Sequence, residues 1–407
     1  MQTNDKKIGL KNESGGVYSL RLTAMALFIA AASAFIPAAL FMDLMYSYLY
    51  IGFMLAAALT AFGIVLCSKL IGAFRPIVPI CIIAVASVFF SFSTPAAGAV
   101  VPIFLCLAAL AAYLIREKFS ALALISGVVG AAAAVLLTKN LFCAALSLLF
   151  IPIAFALCYL FKKGKQRVSS VCTLSFVLGT PAAALFLAFL FINEKGISLS
   201  IVRTFFYTLR EGLIKGLSEA LVEASKQAGA AASEIISIAD ATANITAMVN
   251  TAFNLLPALL IITLFVVTFL IHSLYISMIE PTVKDKKEIM NAITFKMSLA
   301  SAIFFLLSLT AALILQKDQP QISVAAQNIY TILYPGLTMI TFAFLGSHKK
   351  GETASCLPSL LYMMLFALLI FFTDIALLVA SIAGSVIIII SEISKHKKND
   401  SQNDNFN

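Results

Sequence analysis

Residues 252–278 read AFNLLPALLIITLFVVTFLIHSLYISM, twenty-seven residues without one Lys, Arg, Asp or Glu. A bilayer core about 30 Å thick is crossed by a helix of roughly 20 mostly apolar residues. This stretch therefore reads as a transmembrane helix, and it is one of many. Similar runs occupy residues 20–41, 46–68, 76–92, 95–114, 119–138, 141–161, 170–192, 297–315, 325–346, 357–372 and 375–391, which makes twelve spans. Over the 407 residues the chain is 61% hydrophobic and 12% charged, with a mean hydropathy of +1.01. Soluble domains are about 45–50% apolar and about 25% charged. The composition excludes an ordinary soluble enzyme, a nucleic-acid reader and a disordered chain. The fold class expected is all-α: a polytopic transmembrane helical bundle of about twelve spans.

Five regions follow from the runs. They are an N-terminal tail (1–19), seven spans (20–192), one long extramembrane segment (193–251), five spans (252–391) and a C-terminal tail (392–407). The first run follows a basic start, so a signal peptide is the alternative there; its length and the many later spans favour a helix that stays.

The net charge of +9 reports orientation. Short cytoplasmic loops are enriched in Lys and Arg. With both termini inside, 21 of the 28 cations fall in inner loops and tails, and 7 fall outside, five of them in the long segment. Joining 357–391 into one span would put Lys395, Lys397 and Lys398 outside, so the charges favour an even number of spans. The expected place is a bacterial cytoplasmic (inner) membrane, where acidic lipid headgroups are the natural partner of the cationic face. There is no Trp; Tyr18, Tyr46, Tyr48, Tyr50, Tyr113, Tyr159 and Tyr275 lie near expected interfaces as anchors.

The long segment 193–251 is expected outside. Val202, Phe205, Phe206, Leu209, Leu213, Leu217, Ala220, Leu221 and Ala224 recur at helical spacing, opposite Arg203, Arg210, Lys215, Ser218, Glu219 and Glu223. A second stretch, 234–248, repeats the pattern. Three readings stand: a helical hairpin across the outer mouth, an interfacial helix on the outer leaflet, and a gating or partner-docking element bending at Gly212, Gly216 and Gly229.

Chemistry is sparse. The seven cysteines form no C-x-x-C pair and read as buried small hydrophobes. The three histidines, His272, His348 and His396, lie near inner loops or the tail, and no H-E-x-x-H occurs. Lys69 to Arg75-Pro76 is one residue short of a lipid-phosphatase motif, and Gly179-Thr180-Pro181 is no nucleophile elbow. Asp43 and Asp374 lie at outer turns and no acid lies inside a span, which argues against a proton-coupled antiporter or a pump. The expectation is a protein that is no enzyme and holds no metal or cofactor, with a membrane glycan or lipid enzyme using Asp43 as a remote alternative.

Polar groups inside spans remain. The eighth span opens on Asn250-Thr251-Ala252-Phe253-Asn254 and reaches Pro257. The tenth carries Gln327, Asn328, Tyr330, Thr331, Tyr334-Pro335-Gly336, Thr338 and Thr341. Pro335 frees a carbonyl one turn earlier, and broken helices often hold ligands in transporters. Asn328, Tyr330, Tyr334, Pro335 and Asn254 are the candidate ligand-binding residues. The competing reading is a proline kink, with Asn and Thr bonding neighbouring helices. In the fifth span Ala123, Ser126, Gly127, Gly130, Ala131 and Ala134 form a small-residue packing face.

The C-terminal half, over residues 200–395, resembles the YybS-like membrane proteins of bacteria, a family of unknown function. The resemblance rests on several marks in order. An amphipathic stretch leads into the span 250–279. A basic inner loop ends in Ile293-Thr294-Phe295-Lys296, and a span carries Ala326-Gln327-Asn328-Ile329. Gly346-Ser347-His348-Lys349-Lys350 then precedes an apolar hairpin. The opening Arg21-Leu22-Thr23-Ala24-Met25-Ala26-Leu27 is similar to the starts of that family and of substrate-binding subunits of energy-coupling-factor vitamin transporters. The resemblance implies a helical bundle that binds a small molecule, with Asn328 carried over. Two functions are expected: transport-related binding or permeation powered, if at all, by a partner ATPase docked on the inner loop, or an envelope scaffold or regulator acting through residues 193–251.

Overall fold

The computed structural model describes residues 15–41, 77–91, 95–194, 196, 198–227, 238–280, 283, 286–347 and 374–403. Among them there is no strand. The helices are α1 (Gly15–Phe41), α2 (Ile77–Ser91), α3 (Pro95–Arg116), α4 (Ser120–Thr138), α5 (Phe142–Ser147), α6 (Phe150–Lys162), α7 (Arg167–Glu194), α8 (Leu199–Gln227), α9 (Ile238–Asn254), α10 (Leu256–Ile279), α11 (Lys286–Ile293), α12 (Leu299–Ile314), α13 (Pro320–Ser347) and α14 (Asp374–Asn403). The all-α class holds. The expected spans 46–68 and 357–372 lie outside the described residues, as do Asp43, Tyr46, Tyr48, Tyr50, Gly229 and His348.

By length and composition, four described stretches are able to cross a membrane: Ser120–Thr138, Phe142–Lys162, Arg167–Asn193 and Leu256–Ile279. Shorter apolar helices are Leu22–Ala38, Val100–Arg116, Leu299–Ile314 and Leu378–Ser394.

The chain forms two compact units. One comprises Met1–Ala182, Thr263–Ala302 and Gly336–Asn407; the other comprises Ala183–Ile262 and Ile303–Pro335. In the first, α3 is the central helix. Its side chains are buried without interruption from Leu105 to Leu114, as a helix apolar on every side requires. It packs against α1, α2 and α6. The buried residues of α4 are Ala123, Ser126, Gly127, Gly130, Ala131 and Ala134, the packing face read from the sequence. Small side chains let helix backbones approach closely, and Gly130 lies against the Ala30 carbonyl and Ser33 of α1.

Three boundaries depart from expectation. The span read as 141–161 is broken at Leu148–Leu149 into α5 and α6. There Leu148 N–H and Leu149 N–H donate to Ala145 and Leu146, three residues back. Pro152, without an N–H, leaves the Leu148 carbonyl no donor four residues on. The loop after α10 contains the short helix α11. The last helix continues through the charged tail to Asn403, since neither Gly nor Pro follows Gly384 to stop it.

In the second unit α8 packs on α9. Ile214, Ser218 and Val222 of α8 are buried, as are Ala241 and Val249 of α9. Arg210 Nε donates to Asn250 Oδ1 across 2.7 Å. Arg210 and Ser218 had been read onto the solvent face. They are accommodated because each is hydrogen-bonded, Ser218 to the Ile214 carbonyl of its own helix at 2.6 Å. The row Leu209, Leu213 and Leu217 is left exposed. A Cβ added at Gly212 or Gly216 meets nothing within 4 Å. Gly212→Ala and Gly216→Ala are therefore expected to stabilise the protein by about 0.5–1 kcal/mol each, since Ala is the better helix residue by that amount. A rise in thermal midpoint in detergent checks this; a fall would mean that α8 has a close neighbour at these positions.

Candidate functional site

Pro257 is the origin of the site. It cannot donate to the Phe253 carbonyl, and its ring crowds that carbonyl. The helix is consequently interrupted between Asn254 and Leu256, and α9 and α10 are separate elements. The sequence had assigned Asn254 to the eighth span; it is instead the last residue of α9.

In an unbroken helix the Ala258 N–H would donate to the Asn254 carbonyl. Here the side chain of Asn328, from α13, stands between them. Ala258 N–H donates to Asn328 Oδ1 at 3.0 Å, and Asn328 Nδ2 donates to the Asn254 carbonyl at 2.8 Å. A second Nδ2 hydrogen goes to the Val324 carbonyl of its own helix at 2.9 Å. A carboxamide has the same donor and acceptor as a peptide group, so Asn328 acts as a surrogate peptide unit spliced into the ladder. Ala258 is fully buried, and its N–H needs this partner.

Tyr330 and Tyr334 stand one turn apart on α13. Their ring centroids are 5.4 Å apart, and both meet the buried Phe305 of α12 edge-on, at 6.4 and 5.8 Å. Edge-to-face aromatic pairs contribute about 0.5–1.5 kcal/mol beyond area burial. Ser323 Oγ, at the start of α13, donates to the Ala312 carbonyl of α12 at 2.8 Å. Pro335 directly follows the aromatic pair and closes the second unit.

The candidate residues are thus gathered within one unit but do not converge. Asn328 and Asn254 meet directly. Tyr330 lies about 200° around the helix from Asn328 and Tyr334 about 240°, so the tyrosines face α12 while Asn328 faces the α9–α10 junction. Chemically the site offers an amide, two phenol rings and a proline break. Among the described residues no group of three or more His, Cys, Asp or Glu is placed to hold a metal ion.

In the first unit, Arg167 is one of the 21 cations that the sequence assigns to inner loops and tails. It is the first residue of α7 and is buried. Its guanidinium lies 4.1 Å from the centre of the Phe269 ring and donates to Ser273 Oγ. About two turns further along α7, Ser175 shares a buried hydroxyl–hydroxyl hydrogen bond of 2.8 Å with Thr268 of α10. These contacts tie α7 to α10. On the same face of α10, His272 is buried and its Nδ1 has no hydrogen-bond partner among the described residues. Sequence reasoning missed the Arg167 seat, whose partners lie about a hundred residues away.

No family model, curated protein or solved structure matches the chain.

Proposed function

We propose that the chain is a multi-pass protein of a bacterial cytoplasmic membrane, with twelve spans and both termini inside. It binds a small or amphipathic molecule beside α13 and takes part in its transport without an energy source of its own. One observation carries the membrane part. Large apolar side chains lie open on the apolar helices: Leu136 is 79% exposed, Phe176 74%, Leu313 69% and Ile192 68%. Each would gain about 1.5–3 kcal/mol by leaving water, and lipid tails supply that environment. The cation asymmetry supports the orientation. The proline break beside Asn328 and the ring pair on the α12 side of α13 support a ligand site, as does the resemblance to YybS-like proteins and vitamin-transporter subunits. A cytoplasmic ATPase on the inner loop that holds α11 is the partner this reading calls for.

Native mass spectrometry of detergent-purified protein tests the ligand. A co-purifying small molecule is expected. Its occupancy should fall about tenfold in Tyr334→Ala, equivalent to ~1.4 kcal/mol, and recover in Tyr334→Phe. Equal occupancy in Tyr334→Ala at matched yield, or no bound molecule, sinks the site.

A second reading, an envelope scaffold or regulator, is favoured by the exposed row Leu209, Leu213 and Leu217 beside the open glycines 212 and 216. Removing residues 193–251 should then abolish function in cells and leave the rest of the bundle folded. Retained function after that deletion removes the reading.

A further inference from the structure

Two short turns of the first unit join α3 to α4 and α6 to α7, and they close in the same way. Phe119 N–H donates to the Leu114 carbonyl at 2.8 Å, and Lys118 N–H to the Ile115 carbonyl at 3.2 Å. Lys165 N–H donates to the Leu160 carbonyl at 3.2 Å, and Gly164 N–H to the Phe161 carbonyl at 2.9 Å. Both are Schellman turns, which need one residue in the left-handed region. Gly164 fills that place in the second turn, at φ 61°. In the first turn Lys118 fills it, at φ 73°, although a side chain is unfavourable there and glycine is the usual occupant.

The two turns are neighbours. Helix α3 packs on α6, and the Arg116 guanidinium lies 5.7 Å from the centre of the Phe161 ring. Residues 116–118 and 162–165 together hold five cations, Arg116, Lys118, Lys162, Lys163 and Lys165, against one acid, Glu117. All four lysines are exposed, and among the described residues none of them has an ion pair. The four helix-end carbonyls are already closed by backbone donors, so the lysines are not needed to cap them. One face of α6 leads into this patch. Phe155 and Tyr159 are 42% and 59% exposed. Lys163 follows at the same spacing of four, with its Nζ 5.7 Å from the centre of the Tyr159 ring. The stripe passes from apolar to aromatic to cationic over a rise of about 12 Å.

We propose that these two turns form a binding site for an anionic phospholipid. Lys118, Lys163 and Lys165 take the phosphate of its headgroup, and an acyl chain lies along Tyr159 and Phe155. Charge selects an anion, and basic sites at the cytoplasmic ends of membrane helices suit acidic headgroups. The apolar half of the stripe selects a lipid over a soluble phosphate, which would gain nothing from Phe155. Lys118 stands where glycine would fold better, so its charge serves something other than the turn. The site is separate from the ligand site beside α13. It rests on the reading of these helices as membrane spans with both turns at the inner face.

The test is native mass spectrometry of the full chain, delipidated in an uncharged detergent and titrated with phosphatidylglycerol or with phosphatidylcholine of the same acyl chains. Phosphatidylglycerol is expected to bind at least about tenfold more tightly. The triple variant Lys118→Gln, Lys163→Gln, Lys165→Gln should bind the two lipids alike. Lys118→Gly alone should raise the detergent thermal midpoint, since glycine suits the left-handed position, and yet weaken phosphatidylglycerol binding. A lysine that served only the turn would not move the two readouts in opposite senses. Glycerol 3-phosphate at equal concentration should not displace the bound lipid. Equal binding of the two lipids by the wild type, an unchanged preference in either variant, or displacement by glycerol 3-phosphate overturns the site. Recovery of the chain in the soluble fraction of cells would instead overturn the membrane reading beneath it.

Discussion

Asn328→Ala is expected to destabilise the protein by about 2–3 kcal/mol. The substitution removes the acceptor of the buried Ala258 N–H, and a buried polar group left unpaired costs about 1–3 kcal/mol. It also removes the two bonds from Nδ2 to the Asn254 and Val324 carbonyls. Asn254 is exposed and its carbonyl regains water, so most of the penalty sits at Ala258. Asn328→Asp separates the roles. The carboxylate keeps the acceptor for Ala258, loses both donors, and places a charge in a poorly solvated site. It is expected to be at least as damaging as Ala. Hydrogen exchange in a peptide covering residues 250–262 reads the effect locally, and the detergent thermal midpoint reads it globally. Wild-type exchange in both variants would mean that the amide does not complete the α9–α10 ladder.

The second large effect concerns two glycines that bring helix backbones together. At Gly384 an added Cβ overlaps the Leu337 carbonyl oxygen. It also lies 2.9 Å from that carbonyl carbon and 3.0 Å from Thr341 Oγ1. At Gly130 it overlaps Ser33 Oγ and lies 2.5 Å from the Ala30 carbonyl oxygen. Backbone atoms cannot swing aside as a side-chain end can, so the helix pair must separate. Overpacking a tight interface typically costs about 1–3 kcal/mol. Gly130→Ala and Gly384→Ala should fall in that range, and the Leu variants at or above its upper end. Gly127 is the comparison, because its nearest contact is the ring end of Phe150 at 2.9 Å; Gly127→Ala should cost less. Thermal midpoints of the three alanine variants rank them. If Gly130→Ala matches the wild type, α1 and α4 are not packed as described.

How much of this was legible beforehand differs from element to element. The packing face of α4 was complete in the sequence, because small residues at helical spacing have few other uses in an apolar run. Asn328 and Pro257 were visible as anomalies. Their joint meaning was not, because the sequence does not say which interrupted ladder an amide enters seventy residues away. The seam of α8 was misjudged for a physical reason. Amphipathicity assumes that the polar face seeks water. Ser218 and Arg210 are buried or half-buried once their hydrogen bonds are closed, and the leucine row stays open. Arg167 shows the same limit, since a cation next to a basic loop reads as solvated until a ring and a hydroxyl are found to hold it. The break at Leu148–Leu149 was foreshadowed by Pro152 but hidden by an uninterrupted apolar run.

The central claim is that these apolar helices cross a bilayer with the loop after α6 inside and the α8–α9 hairpin outside. Substituted-cysteine labelling in intact cells tests it most directly. Glu219→Cys and Gly164→Cys, each at a position exposed in the structure, are treated with a membrane-impermeant maleimide. The account predicts that position 219 reacts in intact cells and that position 164 reacts only after permeabilisation, with the protein in the membrane fraction throughout. Labelling of position 164 in intact cells with 219 protected, or recovery of the chain in the soluble fraction, would contradict it.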